Sequence, residues 1–167
     1  MGFGAGRHVI YLAKMGYDVY GDDISKSGKQ ITEKWLEDEG LSVTLGFSDM
    51  TKIPYPDNFF DVIINRGVIT HNTIDNIKKC ISEMYRTLKI NGLVMTTFIS
   101  TRSSEYGKGQ LVARNTYIPT SGPEEGVIHH FVDKDELDEL MQDFQTIKVY
   151  EYKHSGLLKI GDYISSH

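Results

Sequence analysis

Gly2, Gly4 and Gly6 alternate through Gly2-Phe3-Gly4-Ala5-Gly6, just ahead of a segment with helical apolar spacing. Glycines spaced this way let the backbone turn tightly and approach a ligand with no Cβ in the way. The helix N-terminus beyond them offers N–H groups and partial positive charge, which suits an anion. That anion is either a pyrophosphate or the carboxylate of an amino-acid-like ligand; a glycine-rich turn with no ligand is the alternative. Asp23 follows the next strand pattern where a carboxylate would accept hydrogen bonds from ribose hydroxyls. Asp22 competes for that role. An Asp here can instead cap the following helix, a task Ser25 could also perform. Arg7 could reach a ligand carboxylate or simply lie on the surface. Further on, Tyr106 and the His129-His130 pair carry groups able to line a pocket, although Tyr106 fits better as a lid residue packing on the core. Adjacent histidines project in divergent directions and no third ligand accompanies them, so no metal is expected.

The elements that would position these residues alternate between helix and strand patterns, which points to an α/β architecture with a largely parallel sheet. Residues 7–15 read as a short helix stopped by Gly16, and 18–21 as a short strand ending in Asp22-Asp23. A second helix spans 25–39, with Ile31, Trp35 and Leu36 on its apolar face and Gly40 after it. A strand follows at 43–45. Pro54, Pro56, Asp57 and Asn58 then mark an ordered surface loop. The apolar run 60–64 predicts a strand buried on both faces. Residues 75–88 place Ile77, Cys80, Ile81, Met84, Tyr85 and Leu88 at helical spacing, which makes Cys80 a core residue rather than a nucleophile. Asn91-Gly92 turns the chain into a buried strand over 93–99. The stretch 101–127 has no clear period and reads as a substrate-side cover. Asp133 with Glu136 three residues later forms a capping box opening a helix through Phe144. An edge strand is expected over 146–152, and residues 156–167 begin one more.

Four blocks, in order, resemble the class I S-adenosylmethionine-dependent methyltransferase family. The first two are Gly-Phe-Gly-Ala-Gly-Arg-His and Tyr-Asp-Val-Tyr-Gly-Asp-Asp-Ile-Ser. The third runs from Ser48-Asp49-Met50 to Asp61-Val62-Ile63-Ile64, and the fourth from Met84-Tyr85-Arg86 to Asn91-Gly92-Leu93. The similarity covers nearly the whole chain. It implies a Rossmann-like, doubly wound, mostly parallel sheet with an antiparallel C-terminal edge. In the family pattern, Gly2, Gly4 and Gly6 cradle the methionine part of S-adenosylmethionine. Asp23 binds the ribose, Ile24 packs on the adenine, Asp49 accepts the adenine amino group, and Met50 lies beside the ring. Asn65, Arg66 and Gly67 meet the methionine moiety through backbone groups. His71, in the position where such enzymes often carry a histidine near the substrate, joins Tyr106 and His130 as the catalytic candidates; a capping or exposed role is its alternative. The pattern departs in one respect. The family's first central strand precedes the glycine loop, whereas this sequence starts inside that loop, and its last residues resemble only the entrance to the family's final strand. The expectation is one methyltransferase domain over 1–167, with a cofactor half at 1–100, a cover at 101–131 and C-terminal elements at 132–167, cut short at both ends. The gap is then filled by another chain or a rearranged segment, or the chain is a non-catalytic cofactor-binding fragment.

Composition narrows the partners. The chain has 167 residues and a net charge of -5, with its 18 basic residues scattered. A concentrated basic stripe, which nucleic-acid backbones require, is missing, so a small-molecule acceptor is expected and a nucleic acid is not. One cysteine permits no intrachain disulfide. Apolar runs are too short to span a bilayer, and no leader pattern opens the chain, so neither a membrane nor export is expected and the cytoplasm is. A homo-oligomer would follow if exposed sheet edges paired. The expected reaction is methyl transfer to a small N, O, S or C nucleophile by in-line displacement. An NAD(P)-dependent oxidoreductase is the competing class, but Arg7 stands where the dinucleotide fingerprint has its third glycine.

Overall fold

The computed structural model describes residues 1–154 and 157–166, and it divides into two compact units, Met1–Pro54 and Tyr55–His167. In the first, helix α1 (Arg7–Lys14) is followed by strand β1 (Tyr20–Asp23), helix α2 (Lys26–Asp38) and strand β2 (Thr44–Phe47). Gly16 and Gly40 take left-handed φ values of 84° and 64° and end the two helices as expected. The N–H of Tyr17 reaches Leu12 O at 3.2 Å and that of Leu41 reaches Leu36 O at 2.9 Å. β1 and β2 pair in parallel, from Tyr20 opposite Thr44 to Asp23 opposite Phe47. β1 thus starts two residues later than its pattern implied and carries both aspartates itself. Phe3, Val9, Ile10, Val19 and Leu36 form the buried core of this unit, with Leu12, Trp35 and Leu45 packed against it. Ile31 is 55% exposed, contrary to its expected place on the apolar face. The buried face of α2 is Gly28, Thr32 and Leu36, spaced four apart: the small Gly28 and Thr32 lie against the glycine loop, and Leu36 joins the core.

In the second unit, strand β3 (Phe60–Asn65) leads to helix α3 (Ile74–Thr87) and the long strand β4 (Leu88–Ser100). Strands β5 (Gln110–Ala113), β6 (Thr116–Ile118) and β7 (His129–Val132) follow. Helix α4 (Lys134–Leu140) and strands β8 (Gln145–Lys148), β9 (Glu151–His154) and β10 (Leu157–Ser166) complete it. β4 is the spine of a mixed sheet. β3 runs parallel to it, with Asn65 opposite Thr96, and β7 pairs in parallel at Ile99–Phe131 and Ser100–Val132. β10 lies antiparallel between β4 and β8, giving the antiparallel C-terminal edge. Ile77, Cys80, Ile81 and Met84 of α3 are buried, and Cys80 is a core residue as its spacing implied. Arg86 anchors the proline-containing loop, donating to Tyr55 O and Asp57 Oδ1, both at 2.8 Å. Among the described residues no helix is long and apolar enough to cross a membrane.

Several expectations are corrected. Val62 is 52% exposed, so β3 is not buried on both faces; among the described residues it pairs with β4 alone. β4 starts at Leu88 rather than Leu93. Asn91 takes a φ of 63°, and the kink is absorbed as a register shift against β3 within the strand instead of as a turn before it. The cover at 101–127 contains the β5–β6 hairpin, turned at Asn115 with φ 55°. Asp133 does cap α4, accepting the Glu136 N–H at 2.9 Å, but the helix ends at Leu140, short of Phe144. The expected strand at 146–152 is split into β8 and β9. β10 is a ten-residue strand rather than the mere entrance to one. Gly156 and His167 lie outside the described residues.

Candidate functional site

The glycine loop is built on main-chain hydrogen bonds. Gly2 N–H donates to Asp22 O at 2.8 Å, which aligns the loop beside β1. Gly4 N–H donates to Asp23 Oδ2 at 2.7 Å and Ser25 N–H to Asp23 Oδ1 at 2.8 Å. One carboxylate therefore clamps the loop to the start of α2, and each oxygen keeps a further lone pair. Of the two competing aspartates, Asp23 is the one facing the loop. Asp22 accepts the Ser48 hydroxyl at 2.9 Å and crowds Gly46, where an added Cβ would lie 2.0 Å from its Oδ1. Ser25 is the cap of α2, accepting the Gly28 N–H at 3.0 Å, so Asp23 is not needed as the helix cap.

The glycines differ in what they serve. Gly6, at φ 84°, has Thr32 against it; a Cβ there would meet Thr32 Cγ2 and Oγ1 at 2.6 Å. Gly4, at φ 54°, would carry its Cβ into open space, with nothing within 4 Å. Gly6 is thus a packing glycine and Gly4 a surface one, beside the clamp. α1 begins with Gly6 as its cap residue, has no side-chain cap and has no acidic residue in its first turn. Such a helix start suits an anionic ligand group. Gly28 and Thr32, which no sequence motif marks, also hold the loop. Gly28 admits Gly4 O so closely that a Cβ would stand 2.7 Å from it, and the Thr32 hydroxyl lies 2.9 Å from Gly28 O and 3.4 Å from Gly4 O. Their signal is a pair of small residues four apart on a helix that follows a glycine loop.

Around this clamp the unit exposes apolar surface. Ile24 is 65% exposed and Phe47, opposite Asp23 in the β ladder, is 54% exposed, while Met50 is half-buried. Asp49 accepts both the N–H and the hydroxyl of Thr51, at 2.8 and 2.7 Å, and these bonds hold its carboxyl below the ordinary carboxylate range. Arg7 is exposed on the first turn of α1.

The other candidates belong to the Tyr55–His167 unit. Asn65 is fully buried; its Oδ1 accepts the Ile69 N–H at 3.3 Å and its Nδ2 points to Cys80 Sγ at 3.9 Å. Its side chain shapes the turn after β3, where Arg66 is exposed and Gly67 has φ 69°. His71 sits in that turn, its N–H bonded to Val68 O at 3.0 Å. His71 meets His129, ring centroids 4.8 Å apart, rather than His130. His130 is 1% exposed. Its Nδ1 lies 2.9 Å from the Thr116 hydroxyl, and Glu136 Oε2 lies 3.4 Å from its Nε2. Burial holds its imidazole below the ordinary value, with Glu136 pulling the other way. That environment ties His130 to the hairpin and α4. Tyr106 donates its hydroxyl to Asn115 Oδ1 at 2.8 Å and packs edge-on against Tyr117 and Phe131. Burial first, then Tyr117, raise its pKa, so it stays a protonated donor. The structure also supplies what the sequence did not reveal beside the histidines: Glu124, with Oε2 3.3 Å from His129 Nε2.

Known proteins bear on this arrangement. A family model described as a methyltransferase domain matches residues 1–96, running across both units. Phosphoethanolamine N-methyltransferase 3 of Arabidopsis thaliana is 34% identical over 98 residues, 58% of this chain and 20% of that protein. The chain spans 38% and 20% of the lengths of two curated relatives that it matches. A SAM-dependent methyltransferase structure from Methanosarcina mazei superposes with a TM-score of 0.85 at 19% identity, covering 99% of this chain and 89% of that one. The Burkholderia thailandensis 1,6-didemethyltoxoflavin-N1-methyltransferase, with bound 1,6-didemethyltoxoflavin and S-adenosylhomocysteine, gives 0.77 at 16% identity, over 99% and 68% of the two chains. These likenesses show a Rossmann-like methyltransferase fold.

Proposed function

Since the chain belongs to the methyltransferase-domain family of class I, S-adenosylmethionine-dependent enzymes, we propose that it transfers a methyl group from S-adenosylmethionine to a small-molecule nucleophile. The observation that carries this reading is the Asp23 carboxylate clamped between Gly4 N–H and Ser25 N–H. It offers fixed acceptors for paired ribose hydroxyls, beside a helix start free of acidic residues that suits a carboxylate. Ile24 and Met50 supply apolar surface for a purine, and Asp49, held ionised by Thr51, is an acceptor for an exocyclic amine.

S-adenosylmethionine supplies an electrophilic methyl on a sulfonium sulfur, open to in-line attack by an acceptor lone pair. The protein's part is to orient the acceptor and exclude water. In this reading His71 and Tyr106 are the acceptor-side groups. Tyr106, kept protonated, positions rather than deprotonates. His130, buried between Thr116 and Glu136, acts as a positioning residue for β7. The acceptor is then a small molecule in a cytoplasmic setting, with no nucleic acid or membrane partner; homo-oligomers would form by pairing of sheet edges.

Calorimetry with S-adenosylhomocysteine and, separately, NADH tests this reading. Binding of the first but not the second is expected. Asp23→Ala should weaken S-adenosylhomocysteine by about 100-fold or more, since hydrogen bonds to a charged acceptor contribute about 1.5–3 kcal/mol each. Binding of NADH alone would overturn it.

A further inference from the structure

We propose that His71, Glu124 and His129 form a binding site for a divalent transition-metal ion of the zinc class. The three come from separate segments of the Tyr55–His167 unit: the turn after β3, the loop between β6 and β7, and the first residue of β7. One ligand atom from each lies within 4.8 Å of the others. His129 is 3% exposed, so its ring is fixed by packing. Glu124 reaches it from a closed loop in which Gly126 N–H bonds Pro119 O at 3.0 Å and Val127 N–H bonds Glu124 O at 3.1 Å.

The spacing suits coordination. Two donors held about 2.0–2.1 Å from a tetrahedral zinc ion stand about 3.3 Å apart. Glu124 Oε2 and His129 Nε2 are already 3.3 Å apart. His71 completes the set, its ring 4.8 Å from that of His129. A second observation points the same way: His71 Nδ1 is buried and has no hydrogen-bond partner among the described residues. A buried polar nitrogen left in that state needs an explanation, and an ion supplies one. Two imidazoles and one carboxylate favour zinc, iron, cobalt or nickel over calcium or magnesium, which demand more oxygen ligands.

Three protein ligands leave a coordination position open, the pattern of catalytic rather than structural zinc sites. An acceptor hydroxyl or thiol would fit that position. This last assignment rests on the methyl-transfer reading; the ion site itself does not.

The test uses the full chain, stripped with a chelator and titrated with Co²⁺ by visible absorption and with Zn²⁺ by calorimetry. One ion per chain is expected, with nitrogen and oxygen ligand bands in the cobalt spectrum. Glu124→Gln and His71→Asn should each weaken binding at least about 10-fold. Glu125→Gln, one residue away on the same loop, should match the wild type. Near-ultraviolet circular dichroism checks that each variant is folded. No stoichiometric ion on the wild type, or equal binding by Glu124→Gln and Glu125→Gln, overturns the site. S-adenosylhomocysteine binding is read separately on the wild type: its failure would sink the proposed function and leave the metal result standing.

Discussion

Asp23 grips main-chain N–H groups, whereas His71, Glu124 and His129 meet through side chains drawn from three separate segments. Both assemblies are polar. They differ in what fixes them. The loop of Met1–Pro54 depends on backbone conformations that glycine alone adopts easily, so its composition is constrained residue by residue. The cluster of Tyr55–His167 depends on the fold bringing distant residues together, so each residue taken singly looks ordinary.

The sharpest way to break that contrast is within the loop itself. Gly6→Ala combines a left-handed φ, costing about 1–2 kcal/mol, with overlap against Thr32, costing about 1–3 kcal/mol. Urea denaturation should show a loss of about 2–5 kcal/mol. Gly4→Ala has the φ term alone, so about 1–2 kcal/mol is expected. Equal losses from the two variants would mean that Thr32 does not set the limit at Gly6.

The second unit offers the matching side-chain experiment. Asn115→Gly keeps the positive φ of the hairpin turn but removes the partner of the Tyr106 hydroxyl and of Glu136. The cost should be about 1–3 kcal/mol, with fluorescence of the tyrosine cluster altered. A change below about 0.5 kcal/mol would place this region alongside the loop, held by backbone after all.

The smallest effect concerns Asp49. Thr51→Val removes the hydroxyl donor, so the carboxyl should move up toward the ordinary range in a carbon-detected NMR titration. The sign for stability follows from a depressed native pKa. Asp49's contribution is present above the ordinary carboxylate range and is lost as pH falls through its lower native value. Wild type and Thr51→Val should therefore differ at neutral pH and converge in acid. An unmoved carboxyl would show that Thr51 N–H alone governs it.

This contrast also explains how much was legible in the sequence. The helix stops at Gly16 and Gly40, the Ser25 cap and the buried Cys80 stripe follow from local chemistry, and so does the choice of the glycine loop. Asp22 and Asp23 could not be told apart, because both belong to β1 and only pairing with β2 turns Asp22 toward Ser48. Ile31 was misplaced because an apolar residue is assumed to face the core, whereas the loop selects Gly28 and Thr32 for their size. Val62 was misplaced because an apolar run does not reveal how many neighbours its strand has. His129 and His130 are both buried, since all of β7 is, so alternation could not say which one meets His71. Glu124 lies in a stretch without periodicity, where only tertiary structure gives it a neighbour.

One further consequence follows from β10, which enters the sheet between β4 and β8 though it is the last described strand in the chain. A nascent chain reaches Leu157 only after every other strand of its sheet has been synthesised. Until then the Leu93–Ile99 edge of β4 and the Gln145–Lys148 edge of β8 have no β10 to pair with. Open edges of this kind invite other strands. Ribosomal pausing ahead of Leu157 would therefore leave an acceptor edge open to neighbouring nascent chains, and the arrival of β10 is what closes it.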